Sequence, residues 1–320
     1  MLVKASSGRI EKIPARFLST TPPTFSAILT LREVAAFSGI SPQQLGSLDA
    51  ELRTLPVTPA DRIARCARYD NTVPHFNLPR RDKRPRLLVF GKMTGFKDVP
   101  GYNAAQAALE AMARRKGWIM ASTELGGAIN PRTLRQFDAV IWNNNSGDVL
   151  TLSQRRALQR FVESGGGFAA LHGAAGDPNY FWDWYADNLI GTRFTGHAMA
   201  PQFQEARVVV NTTHPVARTA NLPAEWRMTD EWYSFRSNPR EKGATVLLSL
   251  DEASYKPVGP MGIDIRMGDH PIAWTNCIGK GRMFYSAIGH KPETYAEPVH
   301  LTVLEHAIEW VANKRQTCKP

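Results

Sequence analysis

Cysteine is scarce in this 320-residue chain. There are three, Cys66, Cys277 and Cys318, an odd number, far apart and without CxxC spacing. That pattern argues against a disulfide framework and against a cysteine-based zinc site. No run of about 18 apolar residues occurs, so no transmembrane helix is expected. The N-terminus lacks the compact apolar core of a secretory signal. Its basic and hydroxyl residues are compatible with a transit peptide, but a cytoplasmic protein is the simpler expectation. There is no HExxH motif, no paired-histidine spacing and no internal repeat. A metal site would therefore be assembled from distant segments.

Hydrophobic residues make up 43% of the chain, enough for a sizeable core. The formal charge is +10, and part of the excess sits in "RRDKRPR" (80–86), which reads as a solvated linker. Residues 1–84 are rich in Ser, Thr, Pro and Arg and lack strong strand signals, so they read as a helical or irregular appendage. Within them, "LTLREVAAFSGISPQQLGSL" (29–48) spaces Ala35, Gly39 and Leu45 as a helix-turn-helix would. No basic recognition helix follows, which disfavours a DNA-linked regulator and nucleic acid as a partner.

From residue 86 strands and helices alternate. "RLLVFGK", "WIMASTEL", "FDAVIWNN" and "FAALH" read as strands. "YNAAQAALEAMARRKG" (102–117) reads as a helix with a glycine stop, and "TLSQRRALQRFVESGGG" (151–167) as one capped by Thr151. This order predicts an α/β fold with a parallel sheet and helices on both faces. Beyond about residue 195 the texture is richer in β-strands, with a hairpin at "CIGKGRMF". The chain closes on an amphipathic helix at 298–315.

Open α/β sheets gather ligands beyond the carboxyl ends of their strands. Lys92, Thr94 and Lys97 follow the first strand, Asn143 to Ser146 the third, His172 the fourth, and His290 a late one. His172 lies in "GGGFAALHGAAG" (165–176), a strand running into a sharp turn. It is either a hydrogen-bonded residue at the sheet edge or a base, electrophile or metal ligand. "MTDEWYSF" packs Asp230, Glu231, Trp232 and Tyr233 together. Carboxylates beside aromatic rings hold sugars, although adjacent acids also occur on solvated turns. Trp182, Trp184 and Tyr185 beside Asp183 repeat the pattern, with helix packing as the plainer alternative. His197 and His270 complete the candidates. His214 reads as a turn residue, and His75, His300 and His306 as structural or surface residues.

"GGGFAALHGAA", "WYADNLIGTRFTGHAMAP", "HPVARTANLPAEWRMTDEWYSF" and "MGIDIRMGDHPIAWTNCIGKGRMFYSAIGHKPETY", in that order, resemble the ThuA-like, or trehalose-utilisation, family over about residues 86–314. The resemblance implies a flavodoxin-like, class I glutamine-amidotransferase-like domain at 85–316, with a short tail at 317–320. Amidotransferase relatives carry cysteine at the elbow where this chain has His172, so a thiol-dependent glutaminase is not credible. Many members carry a histidine after the first strand where this chain has Asp98, which puts the inherited activity in question.

The resemblance associates the family with disaccharide and keto-sugar catabolism. The expectation is an enzyme working on a keto-sugar or glycoside by acid/base isomerisation or cleavage. His172 and Glu231 are the candidate catalytic pair. Lys92, Asn144, Asp230, Tyr233 and Trp184 are candidate substrate contacts. His172, His197 and His290 are candidate ligands for a divalent metal such as zinc. A non-catalytic sugar-binding or sensing protein is the alternative. The partner is a small carbohydrate rather than a membrane, and a homo-oligomer is compatible with this reading.

Overall fold

The computed structural model describes residues 2–4, 10–12, 70–177, 182–199, 201–313 and 318. The 29–48 segment and Cys66 lie outside them. Leu2–Lys4 (β1) pairs antiparallel with Ile10–Lys12 (β2) in a sheet of its own, where the sequence shows no strong strand signal.

The main domain follows from runs of aliphatic residues punctuated by caps. Arg86–Phe90 (β3) is buried throughout, as a parallel strand covered on both faces must be. Val99–Lys116 (α1) is capped by Asp98 and stopped by Gly117 in the left-handed region at φ 68°. Ile119–Thr123 (β4) and Pro131–Leu134 (α2) lead to Ala139–Asn143 (β5), which is also fully buried. Leu152–Glu163 (α3) begins with a capping box between Thr151 and Gln154. Gly167–Leu171 (β6) is the strand that ends at His172. Gly165 makes the preceding turn at φ 114°, and a Cβ on Gly167 would overlap the Val311 backbone.

Past a π-helical stretch, Trp184–Ile190, come Phe194–His197 (β7), Phe203–Val210 (β8) and Pro215–Ala220 (α4). Glu225–Glu231 (β9), Tyr233–Phe235 (β10) and Thr245–Leu250 (β11) follow. Pro271–Ile278 (β12) and Gly281–Ser286 (β13) form the expected hairpin, and Pro298–Ala312 (α5) closes the domain.

The nine-stranded sheet has the order β4-β3-β5-β6-β13-β12-β11-β8-β9. From β4 to β13 neighbours run parallel, and from β13 to β9 antiparallel. The parallel half has flavodoxin-like order, with its switch point between β3 and β5. In the antiparallel half, β8 alternates buried and less buried residues, as a strand with one wet face does. One face carries α1 and α5, joined by the Lys116–Glu309 ion pair at 2.7 Å. The other carries α3 and the 184–190 helix, joined by the Trp184–Glu163 hydrogen bond at 3.0 Å. No helix among the described residues is long and apolar enough to cross a membrane.

One sequence expectation needs correction and one stretch needs filling in. Residues 70–79 form an arm that touches the domain, a contact the sequence does not signal, while 80–84 of the basic tract are exposed as a linker is. Phe76 meets Phe137 edge-on at 5.5 Å. Gln154 donates to the Asp70 carbonyl at 3.0 Å, and a Cβ on Gly127 would overlap the Thr72 backbone. In the basic tract, Arg81 pairs with Asp138. The cysteines are not all unpaired. Cys277 on β12 and Cys318 beyond α5 form a disulfide, with Cα atoms 5.4 Å apart across 41 residues of chain. Spacing of that length carries no sequence signature; the fold alone brings the two together.

Closing a loop of this length restricts the unfolded chain by about 4 kcal/mol in the chain-entropy model. Cys318→Ser should therefore lower the melting temperature by several degrees, and dithiothreitol should do the same to the wild type only. Equal melting with and without reductant would show that the bridge carries no stability.

His300 on α5 is fully buried. Its Nδ1 donates to the Thr294 carbonyl at 2.8 Å, while its Nε2 has no partner among the described residues. Burial lowers its pKa from 6.5 to about 4. The unfolded chain therefore takes up the proton first. Stability from the neutral imidazole is complete above about pH 6.5 and is lost as the pH falls towards 4, by up to about 3 kcal/mol. His300→Asn keeps the donor without the titration. Its stability deficit against wild type, measured by urea unfolding, should shrink between pH 7 and pH 4. A constant deficit would rule this out.

Candidate functional site

β6 delivers His172 at the carboxyl end of a central strand, with φ 36°. Three contacts hold that backbone. The Gly173 amide donates to Asn144 Oδ1 at 3.2 Å, Tyr285 donates to the His172 carbonyl at 3.0 Å, and Tyr185 to the Ala174 carbonyl at 2.6 Å. The ring is fixed too. Nδ1 lies 2.7 Å from the Ala287 carbonyl and must donate to it. Nε2 is then left with a lone pair, which accepts from the Tyr233 hydroxyl at 2.9 Å.

Asp230 and Glu231 are neighbours on β9 yet act on different groups, because the chain leaves the main sheet after Glu231. β10 pairs instead with β7, setting Tyr233 opposite His197. Asp230, fully buried, accepts from the amides of Gly289 at 2.6 Å and Lys291 at 3.0 Å, one on each side of His290. It clamps that loop. Glu231 turns into the pocket, with Oε2 3.1 Å from His290 Nδ1 and 3.6 Å from His172 Nε2. Its Oε1 lies 3.3 Å from His197 Nδ1 and accepts from Gln202.

A fourth strand end adds Asp98. Its Oδ1 caps α1 through the Gly101 amide at 3.0 Å, and its Oδ2 is buried without a partner among the described residues. Gly101 makes room, since a Cβ there would overlap Oδ2. One ligand atom each from Asp98, His172 and His290 lies within 4.8 Å of the others, a group able to hold a metal among the described residues. At the mouth, the exposed rings of Phe96 and Phe203 flank His290 at 6.0 and 5.2 Å.

Electrostatics separate the groups. Burial lowers the His172 pKa to about 4, so the ring is neutral at pH 7. Burial pushes Glu231 upward, but the hydrogen bond from His290 and the nearby imidazoles outweigh it and hold the carboxyl at about 2. Burial also works against charge on His290, yet Glu231, Asp98 and Asp230 together raise its pKa. Asp230 is raised to about 7 by burial, although its backbone donors oppose the shift. Burial holds Tyr233 well above its ordinary value, so it stays a donor.

Of the sequence candidates, His172, His197, Tyr233, Glu231 and His290 meet here. Asp230 and Asn144 stand behind them, bonded respectively to the Gly289 and Lys291 amides and to the Gly173 amide and Tyr295 hydroxyl. Trp184 is elsewhere: it bonds Glu163, whose carbonyl accepts from Lys280 at the opposite end of the sheet. Lys92 makes no hydrogen bond or ion pair with the cluster among the described residues, and its charge acts on Asp70 of the arm. His270 is a buried strut, donating from Nε2 to the Tyr233 carbonyl at 2.8 Å. Asp98's free oxygen, Gln202, Phe96 and Phe203 escape sequence reasoning. Only Asp98 left a trace, as a departure from the histidine of related sequences. A cavity of about 560 Å³ between Arg135, Arg160 and Lys280 lies at the other edge and holds none of these groups.

The model of the ThuA family, described as trehalose utilisation, matches residues 86–311. A ThuA-like protein from Bacteroides uniformis is 27% identical, with 73% of this chain and 94% of that one covered and a TM-score of 0.62. A ThuA-like protein from Parabacteroides merdae is 17% identical, with 74% and 93% covered and a TM-score of 0.55. Comparison with curated proteins gives no match.

Asp230→Asn tests the clamp. An amide cannot accept from both the Gly289 and Lys291 N–H groups without turning its own NH₂ against one of them. The variant should lose about 1–3 kcal/mol in urea unfolding. Wild-type stability would remove the clamp from the account of the site.

Proposed function

The chain belongs to the ThuA family, and from that premise we propose that it is a carbohydrate-metabolism enzyme acting on a keto-sugar or keto-glycoside. The reaction is proton abstraction α to the carbonyl, leading to isomerisation or elimination. The observation that carries this reading is the Glu231 carboxylate set among three imidazoles, with Oε2 3.6 Å from His172 Nε2, beside two exposed aromatic rings.

Phe96 and Phe203 offer flat faces for the C–H surface of a sugar. Glu231 is anionic at neutral pH and able to take the α-proton. A carboxylate held near a pKa of 2 is a weak base, so the demand falls on whatever polarises the carbonyl oxygen. That oxygen belongs beside His290, whose raised pKa favours a donor N–H, with the Tyr233 hydroxyl turning from His172 Nε2 to donate to it as well. The α-proton passes to Glu231 while negative charge gathers on the carbonyl oxygen. The resulting enediolate is reprotonated at a neighbouring carbon or expels a β-substituent.

A cytoplasmic location, expected from sequence, stands against the Cys277–Cys318 bridge, which an oxidising compartment favours. Thiol titration of protein isolated without reductant separates the two.

His172→Ala and Glu231→Gln should each lower turnover of 3-keto-glucosides by about 100- to 10,000-fold while leaving circular dichroism and melting cooperative. Lys92→Ala should leave turnover unchanged. Binding of these sugars without any turnover would sink the enzyme reading in favour of a sugar sensor.

A further inference from the structure

The cluster contains one group that hydrogen bonding leaves unexplained. Asp98 is only 8% exposed, and its Oδ2 has no partner among the described residues. A carboxylate oxygen buried in that way is costly unless something binds it. It lies within 4.8 Å of ligand atoms on His172 and His290. We propose that Asp98, His172 and His290 form a binding site for one borderline divalent first-row cation of the zinc or cobalt kind, with Glu231 beside it as the base.

Spacing supports this. His172 Nε2 and His290 Nδ1 are 3.3 Å apart, and a cation between them would replace the Nδ1 proton that His290 otherwise donates to Glu231 at 3.1 Å. Two nitrogens bound at about 2.0–2.1 Å in tetrahedral geometry stand about 3.3 Å from each other. The supports around the trio are those that a metal centre requires. The His172 Nδ1–H bond to Ala287 directs the Nε2 lone pair inward. The Gly101 amide holds Oδ1 of Asp98 and leaves Oδ2 free. The Asp230 clamp fixes the backbone on both sides of His290. The Tyr233 hydroxyl proton, which engages the His172 lone pair, can rotate to another acceptor while its ring stays in place.

Two imidazole nitrogens and one carboxylate oxygen select zinc-like cations over magnesium or calcium, which prefer oxygen alone. Three protein ligands leave a position open for a water or a substrate oxygen. A cation there would polarise a carbonyl, which a weak carboxylate base requires. Of the three histidines expected from sequence, His197 is left out of the proposed site, since its Nδ1 faces the Ala198 carbonyl at 2.9 Å and Glu231 at 3.3 Å. Asp98 takes its place.

Cation binding stands independently of the carbohydrate reading. Chelator-stripped full-length protein is titrated with Zn(II) by calorimetry and with Co(II) by visible absorption. One equivalent should bind, with Co(II) bands of a four- or five-coordinate site. Asp98→Asn retains the cap on α1, and it and His290→Gln should each weaken binding by about 100-fold. His197→Gln should leave the affinity within about threefold. No stoichiometric binding, or binding insensitive to Asp98→Asn, overturns the site. So does binding lost in His197→Gln but kept in Asp98→Asn. Zinc binding without keto-sugar turnover would leave the site standing and remove the proposed reaction. Turnover by stripped protein that binds no Co(II) would do the reverse.

Discussion

The hydrogen bond from His172 Nδ1 to the Ala287 carbonyl fixes the chemistry of the whole cluster. It joins the ends of β6 and β13, adjacent parallel strands whose chain positions are far apart. Without it either ring nitrogen could carry the proton, and the pocket would face an acceptor or a donor at random. The backbone cost of placing a non-glycine residue at φ 36° is about 1–3 kcal/mol. The bonds from Tyr285, Tyr185 and Gly173 around the turn contribute about 1 kcal/mol each. The two sums are comparable, so the elbow is stable only while the surrounding tyrosines and Asn144 are in place. Positioning of the imidazole is thus a property of the sheet edge as a whole.

Asp230 and Glu231 show how environment divides two adjacent acids. Backbone amides and the nearby His290 act on Asp230, but they cannot offset full burial, so its carboxyl is held at about 7. Glu231 is also buried, but three imidazoles and Gln202 surround it, and these win. One acid therefore organises a loop and the other carries charge into the pocket. Exchanging their surroundings would exchange their roles, since the two side chains differ by a single methylene.

The parallel half of the sheet was legible because its signals are local. "RLLVF", "AVIWN" and "GFAAL" are apolar on both faces, and Thr151, Gly117 and the 165–167 glycines punctuate them. His172, Glu231 and His290 were legible because topology sends strand ends to one edge. The arm at 70–79 and the Cys277–Cys318 bridge were not, since both rest on contacts across long stretches of chain. Trp184 lies apart from the cluster for a related reason. An aromatic residue beside an acid looks the same in sequence whether it faces a sugar or, as here, covers the end of α3. The division of labour between Asp230 and Glu231 depends on the break after β9, which strand alternation does not reveal.

Histidine rather than cysteine at the elbow follows from what the position must do. A thiol has one functional atom and would need an adjacent base to ionise it. The imidazole has two, on opposite sides of the ring. One nitrogen is tied to Ala287 and the other looks into a space bounded by Tyr233, His290 and Glu231. The residue is anchored through the same ring that presents the lone pair, so its reach is fixed without help from the turn. A cysteine here would leave the Ala287 carbonyl without this donor and place a sulfur short of His290. The pocket is built around a ring nitrogen held by its neighbouring strand, and acid/base or cation chemistry suits that construction where acyl transfer does not.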